Sequence, residues 1–324
     1  MINPASVASL AEAVQQQFSD YAQDKPQAQC VLLLDPCLRD AADDADFSQA
    51  LETWCSASNN NLPLPRILWR HPNLMPAHRP YLATLDLQRE ADVQLLIAGL
   101  QLALDDWDLP SLVQNRGHRV CGYLFTQQNL AQYLGDLAVQ RMTMPKFSKR
   151  TLLRYYDPCV FPALWRICNA EQQRALLGPI NKWLGLGRNG QLQHYQAPSS
   201  AAAEPPSPQI HFGAEQWHAI QNIGALNQAI VQWQLGKEDG QPPQSASLEA
   251  TESALLRARR YGITDIQDLR AFAGHALTVH PQFDRHPLMQ QALARLPTEK
   301  YYAVTVADFS EQEWQKVQQE SSFR

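Results

Sequence analysis

The segment Ala197–Gln209 reads Ala-Pro-Ser-Ser-Ala-Ala-Ala-Glu-Pro-Pro-Ser-Pro-Gln. It carries no side chain able to bury enough apolar surface to offset the entropy of ordering its backbone, so it cannot run through a core. The chain must therefore fold on either side of it. We expect a domain at residues 1–196, a Pro/Ser/Ala-rich linker at 197–209 and a second lobe at 210–324.

The two flanks differ in period. Val7, Leu10, Ala11, Val14 and Phe18 recur at helical spacing, and Pro26 closes that stretch. Cys30–Leu34 is a short continuous apolar run ended by Asp35-Pro36, which suits a strand covered on both faces. A helix follows from Asp46 to Cys55, with Asp43, Asp44 and Asp46 at its positive end. Strands are predicted at Arg66–Trp69, Tyr81–Leu85, Val120–Phe125 and Thr151–Tyr156, and helices at Val93–Leu104 and Asn129–Val139. Pro162 opens a helix through Ile167, and Asn169 with Gln172 caps another that runs to Trp183.

Beyond the linker, Trp217, Ile220, Ile223, Leu226, Ile230 and Trp233 share one helical face. Further helices are predicted at Leu248–Tyr261, Ile266–Gly274, Leu288–Leu296 and after the Ser310/Glu313 capping pair. The fold class is α+β: an N-terminal mixed α/β lobe with a central sheet, then a mostly helical C-terminal lobe.

Composition narrows the function. A formal net charge of -5 with interspersed signs argues against a nucleic-acid partner. No apolar run reaches the roughly 20 residues that span a bilayer. The start, Met1-Ile2-Asn3-Pro4, lacks a basic n-region and an apolar h-region, so a cytoplasmic location without membrane insertion is expected. The six cysteines form no C-x-x-C pair and read as buried free thiols.

Catalytic and metal signatures are weak. Gly185-Leu186-Gly187-Arg188-Asn189-Gly190 matches G-x-G-x-x-G but is predicted to follow a helix, so it reads as a helix end and turn without a nucleotide. His275, His280 and His286 lack a ligand pattern and are interrupted by Pro281 and Pro287, which makes them loop or surface histidines. Asp105, Asp106 and Asp108 read as a polar turn before Pro110. There is no G-x-S-x-G. A non-enzyme without cofactor or metal is expected.

Arg141, Lys146, Lys149 and Arg150, interleaved with Met142, Met144 and Phe147, are candidate contacts for an acidic partner. Trp217 and Trp233 are candidate contacts of the second lobe.

The segment Leu152-Leu153-Arg154-Tyr155-Tyr156-Asp157-Pro158 resembles the L-L-R-F-Y-D-P signature of type VI secretion adaptor chaperones, the Tap or TEC proteins. Leu176-Leu177-Gly178-Pro179-Ile180-Asn181-Lys182-Trp183 is similar to their L-L-G-P-I-x-x-W ending. Val31–Asp35 and Arg79–Leu85 resemble their earlier apolar blocks. One departure stands out: Cys159 occupies the place where the family commonly carries arginine.

The resemblance implies a cytoplasmic, non-catalytic adaptor that binds a cognate toxic effector and loads it onto the VgrG spike. It makes Asp35, Arg154, Tyr155, Tyr156, Asp157, Pro158, Gly178 and Pro179 the family-motif residues, structural or partner-binding. Arg154 is positioned by sequence to pair with Asp157 or Asp35. Two other classes stay open: a hydrolase-like enzyme in the α/β lobe, and a self-assembling structural component of the secretion machinery.

Overall fold

The computed structural model describes residues 7–58, 66–67, 75, 78–137, 142–143, 154–198, 210–238 and 240–321. The chain divides into two compact units, residues 2–212 and 213–324.

The first unit contains strands β1 (Gln29–Leu34), β2 (Tyr81–Leu85), β3 (Val120–Thr126), β4 (Met142–Thr143), β5 (Ile180–Leu186), β6 (Leu192–Tyr195) and β7 (Ile210–His211). Its helices are α1 (Val7–Ala22), α2 (Ala45–Ser58), α3 (Glu90–Asp106), α4 (Leu109–Val113), α5 (Ala131–Asp136), α6 (Phe161–Ile167) and α7 (Ala170–Leu177). Five strands form one sheet in the order β2-β1-β3-β5-β6, and every ladder in it is antiparallel. Ile210 and His211 belong to this unit, pairing in parallel with Met142 and Thr143.

β1 shows why its sequence is uninterruptedly apolar. Cys30, Leu32 and Leu34 join a core with Leu10 and Val14 of α1, Phe47 and Trp54 of α2, and Leu95, Leu96 and Leu100 of α3. Val31 and Leu33 are equally buried although they alternate with that set. Each such leucine contributes about 1.5–3 kcal/mol by leaving water. Polar anchors hold the layers in register: Trp54 Nε1 donates to the buried Asp92 Oδ1 at 3.0 Å, and Trp107 Nε1 donates to the Leu186 carbonyl at 2.9 Å. β3 carries a bulge opposite Leu33 and Leu34, with Gly122 at φ 149; a Cβ there would collide with Trp183 Nε1, so only glycine fits.

Three sequence expectations are corrected here. The helix begun by Asn169, whose capping box with Gln172 is present, stops at Leu177 instead of running to Trp183. Gly178 adopts φ 55 and Pro179 cannot continue the hydrogen-bond ladder, so Ile180–Leu186 is free to extend as β5. Second, the strand predicted at Thr151–Tyr156 is not found in its described part: Arg154 is irregular, and Tyr155 and Tyr156 form a turn. Both tyrosines are fully buried and meet edge to face at 5.3 Å, so their apolar signal comes from packing rather than from a ladder. Third, of the strand predicted at Arg66–Trp69, Arg66 makes an isolated bridge to Tyr81, and residues 68–69 lie outside the described residues.

The second unit is helical: α8 (Ala214–Leu235), α9 (Ser245–Arg260), α10 (Ile266–Thr278), α11 (Pro287–Leu293), α12 (Leu296–Glu299), α13 (Tyr302–Thr305) and α14 (Glu311–Ser321). Its core gathers Leu226, Ile230, Leu255, Leu269, Phe272, Phe283, Met289, Tyr302 and Val317. The buried Asp284 takes a two-pronged bond from Arg257, at 2.8 Å from Nε and 2.7 Å from Nη2. Asp268 accepts from the Tyr302 and Ala303 amides at 2.9 and 3.0 Å, which caps α13. Ser310 and Glu313 make the predicted capping bonds before α14. The protein is thus α+β, with an antiparallel sheet in its first unit and a mostly helical second one. Among the described residues, no helix is long and apolar enough to cross a membrane.

Candidate functional site

Antiparallel pairing of Leu34 with Val120 brings the end of β1 beside the start of β3. Asp35 donates its amide to the Arg119 carbonyl at 2.9 Å, and its Oδ1 accepts from Cys37 N at 2.8 Å, a side-chain turn fitted to Asp-Pro. The remaining Asp35 oxygen receives Arg154, with Nε at 3.0 Å and Nη2 at 2.7 Å. Arg154 Nη2 also lies 3.4 Å from Asp157 Oδ2. Burial works against the guanidinium, yet Asp35 and Asp157 outweigh it and push the Arg154 pKa up.

The Arg154–Val160 stretch is wound tightly around Asp157. Its amide donates to the Arg154 carbonyl at 3.1 Å, and its carbonyl accepts from Val160 and Phe161 at 2.7 and 2.8 Å. Its Oδ1 accepts from Cys159 N at 2.8 Å. Pro158 is buried beside it. Six predicted residues, Asp35 and Arg154 to Pro158, therefore meet at one end of the sheet.

A second ion pair flanks the first. Asp106, the last residue of α3, is 1% exposed and accepts from Arg119 N at 2.7 Å, Arg119 Nε at 3.0 Å and Arg39 Nη2. Arg119 also reaches Asp44 at 3.6 Å. The Asp105–Asp108 stretch is thus not merely a polar turn: its middle carboxylate is buried because two arginines satisfy it.

Between these pairs sits a group that sequence reasoning missed. His118, Asp157 and Cys159 each offer one ligand-type atom, and those atoms all lie within 4.8 Å of one another. His118 Nε2 is 3.2 Å from Cys159 Sγ, although the two residues are 41 positions apart. Trp107 lies against the imidazole with ring centroids 4.2 Å apart, and Arg188 sits over the Trp107 ring at 4.9 Å. Burial pushes the His118 pKa down to about 3, against the pull of Asp106. Burial pushes the Cys159 thiol up to about 12; Asp157 adds to this, and Arg188 and Arg154 oppose it. No local spacing announces the trio, because His118 comes from the approach to β3 and the other two from a turn.

The other predicted residues lie elsewhere. Gly178 and Pro179 are at the opposite end of the sheet, where the Pro179 carbonyl accepts from Thr126 Oγ1 at 2.9 Å. Trp217 is buried; Trp233 is half-buried under Lys237, whose Nζ is 4.2 Å from the ring centroid. Arg141, Lys146, Phe147, Lys149 and Arg150 lie outside the described residues. The glycine-rich Gly185–Gly190 stretch begins inside β5 rather than after a helix and turns back into β6, with Gly187 N donating to the Gln191 carbonyl at 2.8 Å. A hairpin offers no helix N-terminus to a pyrophosphate, so the nucleotide reading fails on that ground. The three C-terminal histidines are not all loop or surface residues. His275 lies within α10, 2.6 Å from the Tyr302 hydroxyl, and buried His286 caps α11 and meets Glu320 at 2.9 Å. No protein-family model, curated protein or solved structure matches the chain.

Proposed function

We propose that this protein is a type VI secretion adaptor chaperone that holds a cognate toxic effector in the cytoplasm and passes it to the VgrG spike. The observation that carries this reading is the Arg154–Asp35 pair. The distinctive Arg154–Pro158 block and the more generic Val31–Asp35 block of the resemblance meet there, as Arg154 and Asp35, 119 positions apart, join through a two-pronged bond onto a buried carboxylate. Tyr155 and Tyr156 are buried, so on this reading the two tyrosines support the scaffold and other residues meet the partners.

A hydrolase reading would draw on Cys159 and His118. In this setting the thiol stays protonated and the imidazole neutral, which is the unreactive form of such a pair. The adaptor reading is therefore preferred.

The test is affinity purification of the tagged chain from its native bacterium, with mass spectrometry of what co-purifies. Recovery of a VgrG spike and one large toxin, one of them lost when residues 210–324 are deleted, is the expected result. Repeated recovery of the chain alone, or only of further copies of itself, from cells with an active secretion system would overturn the proposal. The second of those outcomes would favour a self-assembling component.

A further inference from the structure

We propose that His118, Asp157 and Cys159 form a binding site for a single thiophilic divalent cation, zinc above all, with the fourth position left to water. Cation binding here is independent of what the protein delivers. The donor set is one imidazole, one carboxylate and one thiol, which suits zinc and cobalt and is poorly suited to magnesium or calcium.

The geometry is close to what such an ion needs. Ligand bonds of roughly 2.0–2.3 Å to a tetrahedral centre place donor atoms roughly 3.3–3.8 Å apart. His118 Nε2 and Cys159 Sγ are already 3.2 Å apart, and all three donor atoms fall within 4.8 Å. Closing the widest separation, at most 4.8 Å, to that spacing takes a shift of about 1–1.5 Å shared by Cys159 and Asp157. Asp157 keeps coordinating capacity, because each carboxylate oxygen has two lone pairs and each is engaged once, by Cys159 N and by Arg154.

The supporting shell is also in place. The Trp107 ring against His118 orients the imidazole, and the turn bonds around Asp157 hold its backbone while the carboxylate adjusts.

Donor chemistry decides which ion is accepted: sulfur and imidazole nitrogen favour zinc over the harder, oxygen-preferring magnesium. Beside the trio, Arg154 is paired with Asp35, and Arg39 and Arg119 share Asp106. On binding, the thiol proton is released to solvent and sulfur keeps the bonding pair, so loading is expected to liberate protons and to weaken as pH falls.

The experiment uses the full-length chain freed of metal by chelator and then titrated with Co2+. The expected result is a saturating sulfur-to-cobalt charge-transfer band, displaced by Zn2+, and a higher melting temperature with Zn2+ but not with Mg2+ or Ca2+. Cys159→Ser should abolish the band and weaken Zn2+ binding by at least about 10–100-fold, the range seen when even supporting residues are lost. Cys55→Ser, remote from the trio, should leave the band intact, which controls for other thiols. Absence of both band and stabilisation in the unsubstituted protein would overturn the proposal, leaving His118 and Cys159 as a buried hydrogen-bonded pair. A band that survives in a folded Cys159→Ser protein would overturn it as well, by assigning the metal to another thiol.

Discussion

Arg154 is tied to Asp35 by two hydrogen bonds and to Asp157 by a longer contact, and the Asp35 side chain is fully shielded from water. Replacing Arg154 with methionine keeps much of the side-chain stem but strands a carboxylate in the interior. Chemical denaturation is expected to show a loss of about 3–5 kcal/mol, the usual penalty for half of a buried pair. Asp35→Asn combined with Arg154→Met should recover part of that loss, since the Asp35 position then holds no charge and only Asp157 is left without the arginine. Gly178 poses the opposite problem, one of space: at φ 55 a Cβ would overlap the Tyr133 ring. Gly178→Ala is expected to lower stability by about 2–4 kcal/mol, combining backbone strain with overpacking, and a melting scan reads this directly. Sequence left Asp157 and Asp35 both open as partners of Arg154; the structure gives it two bonds to Asp35 and a longer contact to Asp157. Sequence could not point to His118, whose neighbours in the chain say nothing of a thiol beyond the next helices.

Among the elements, the long amphipathic helices were the most legible in sequence. α1, α2, α3 and α8 to α10 occupy the stretches where apolar residues recur every three or four positions. The misread elements are Tyr155-Tyr156 and Ile180–Trp183. Each is a short apolar run whose periodicity cannot separate a buried turn, a strand and a helix; the neighbouring glycine, proline and sheet partners settle it. Small elements also depend on single caps. α13 spans only Tyr302–Thr305, and both of the amides that Asp268 accepts lie at its start. Asp268→Ala is expected to destabilise the second unit by about 1–3 kcal/mol and to raise hydrogen exchange at Tyr302 and Ala303 first. Unchanged exchange at those amides would show that α13 is held by packing alone.

For the molecule as a whole, acid is the condition most directly written into the structure. His275, against Tyr302 and Trp314, is pushed down to about 4 by burial, and His118 to about 3. Unfolded histidine titrates near 6.5. Between these values the unfolded chain binds protons that the folded chain refuses, so both groups leave stability intact above about pH 6.5 and withdraw it as pH falls toward 4 and below. The expected slope is about 1.4 kcal/mol per pH unit for each histidine while only the unfolded form is charged. Denaturation curves at stepped pH check this; His275→Asn, which retains an acceptor toward Tyr302, should flatten the profile.

The strand order has a further consequence, for synthesis on the ribosome. β3 lies between β1 and β5, and β5 is made long after both β1 and β3. Until Ile180–Leu186 emerges, the nascent sheet presents β3 as an open edge of unpaired amides and carbonyls flanked by apolar side chains, a template for pairing with other chains. A message truncated before β5 would thus yield an aggregating polypeptide rather than a smaller folded protein, and slow translation through Asn169–Pro179 would lengthen the interval during which each new copy needs protection.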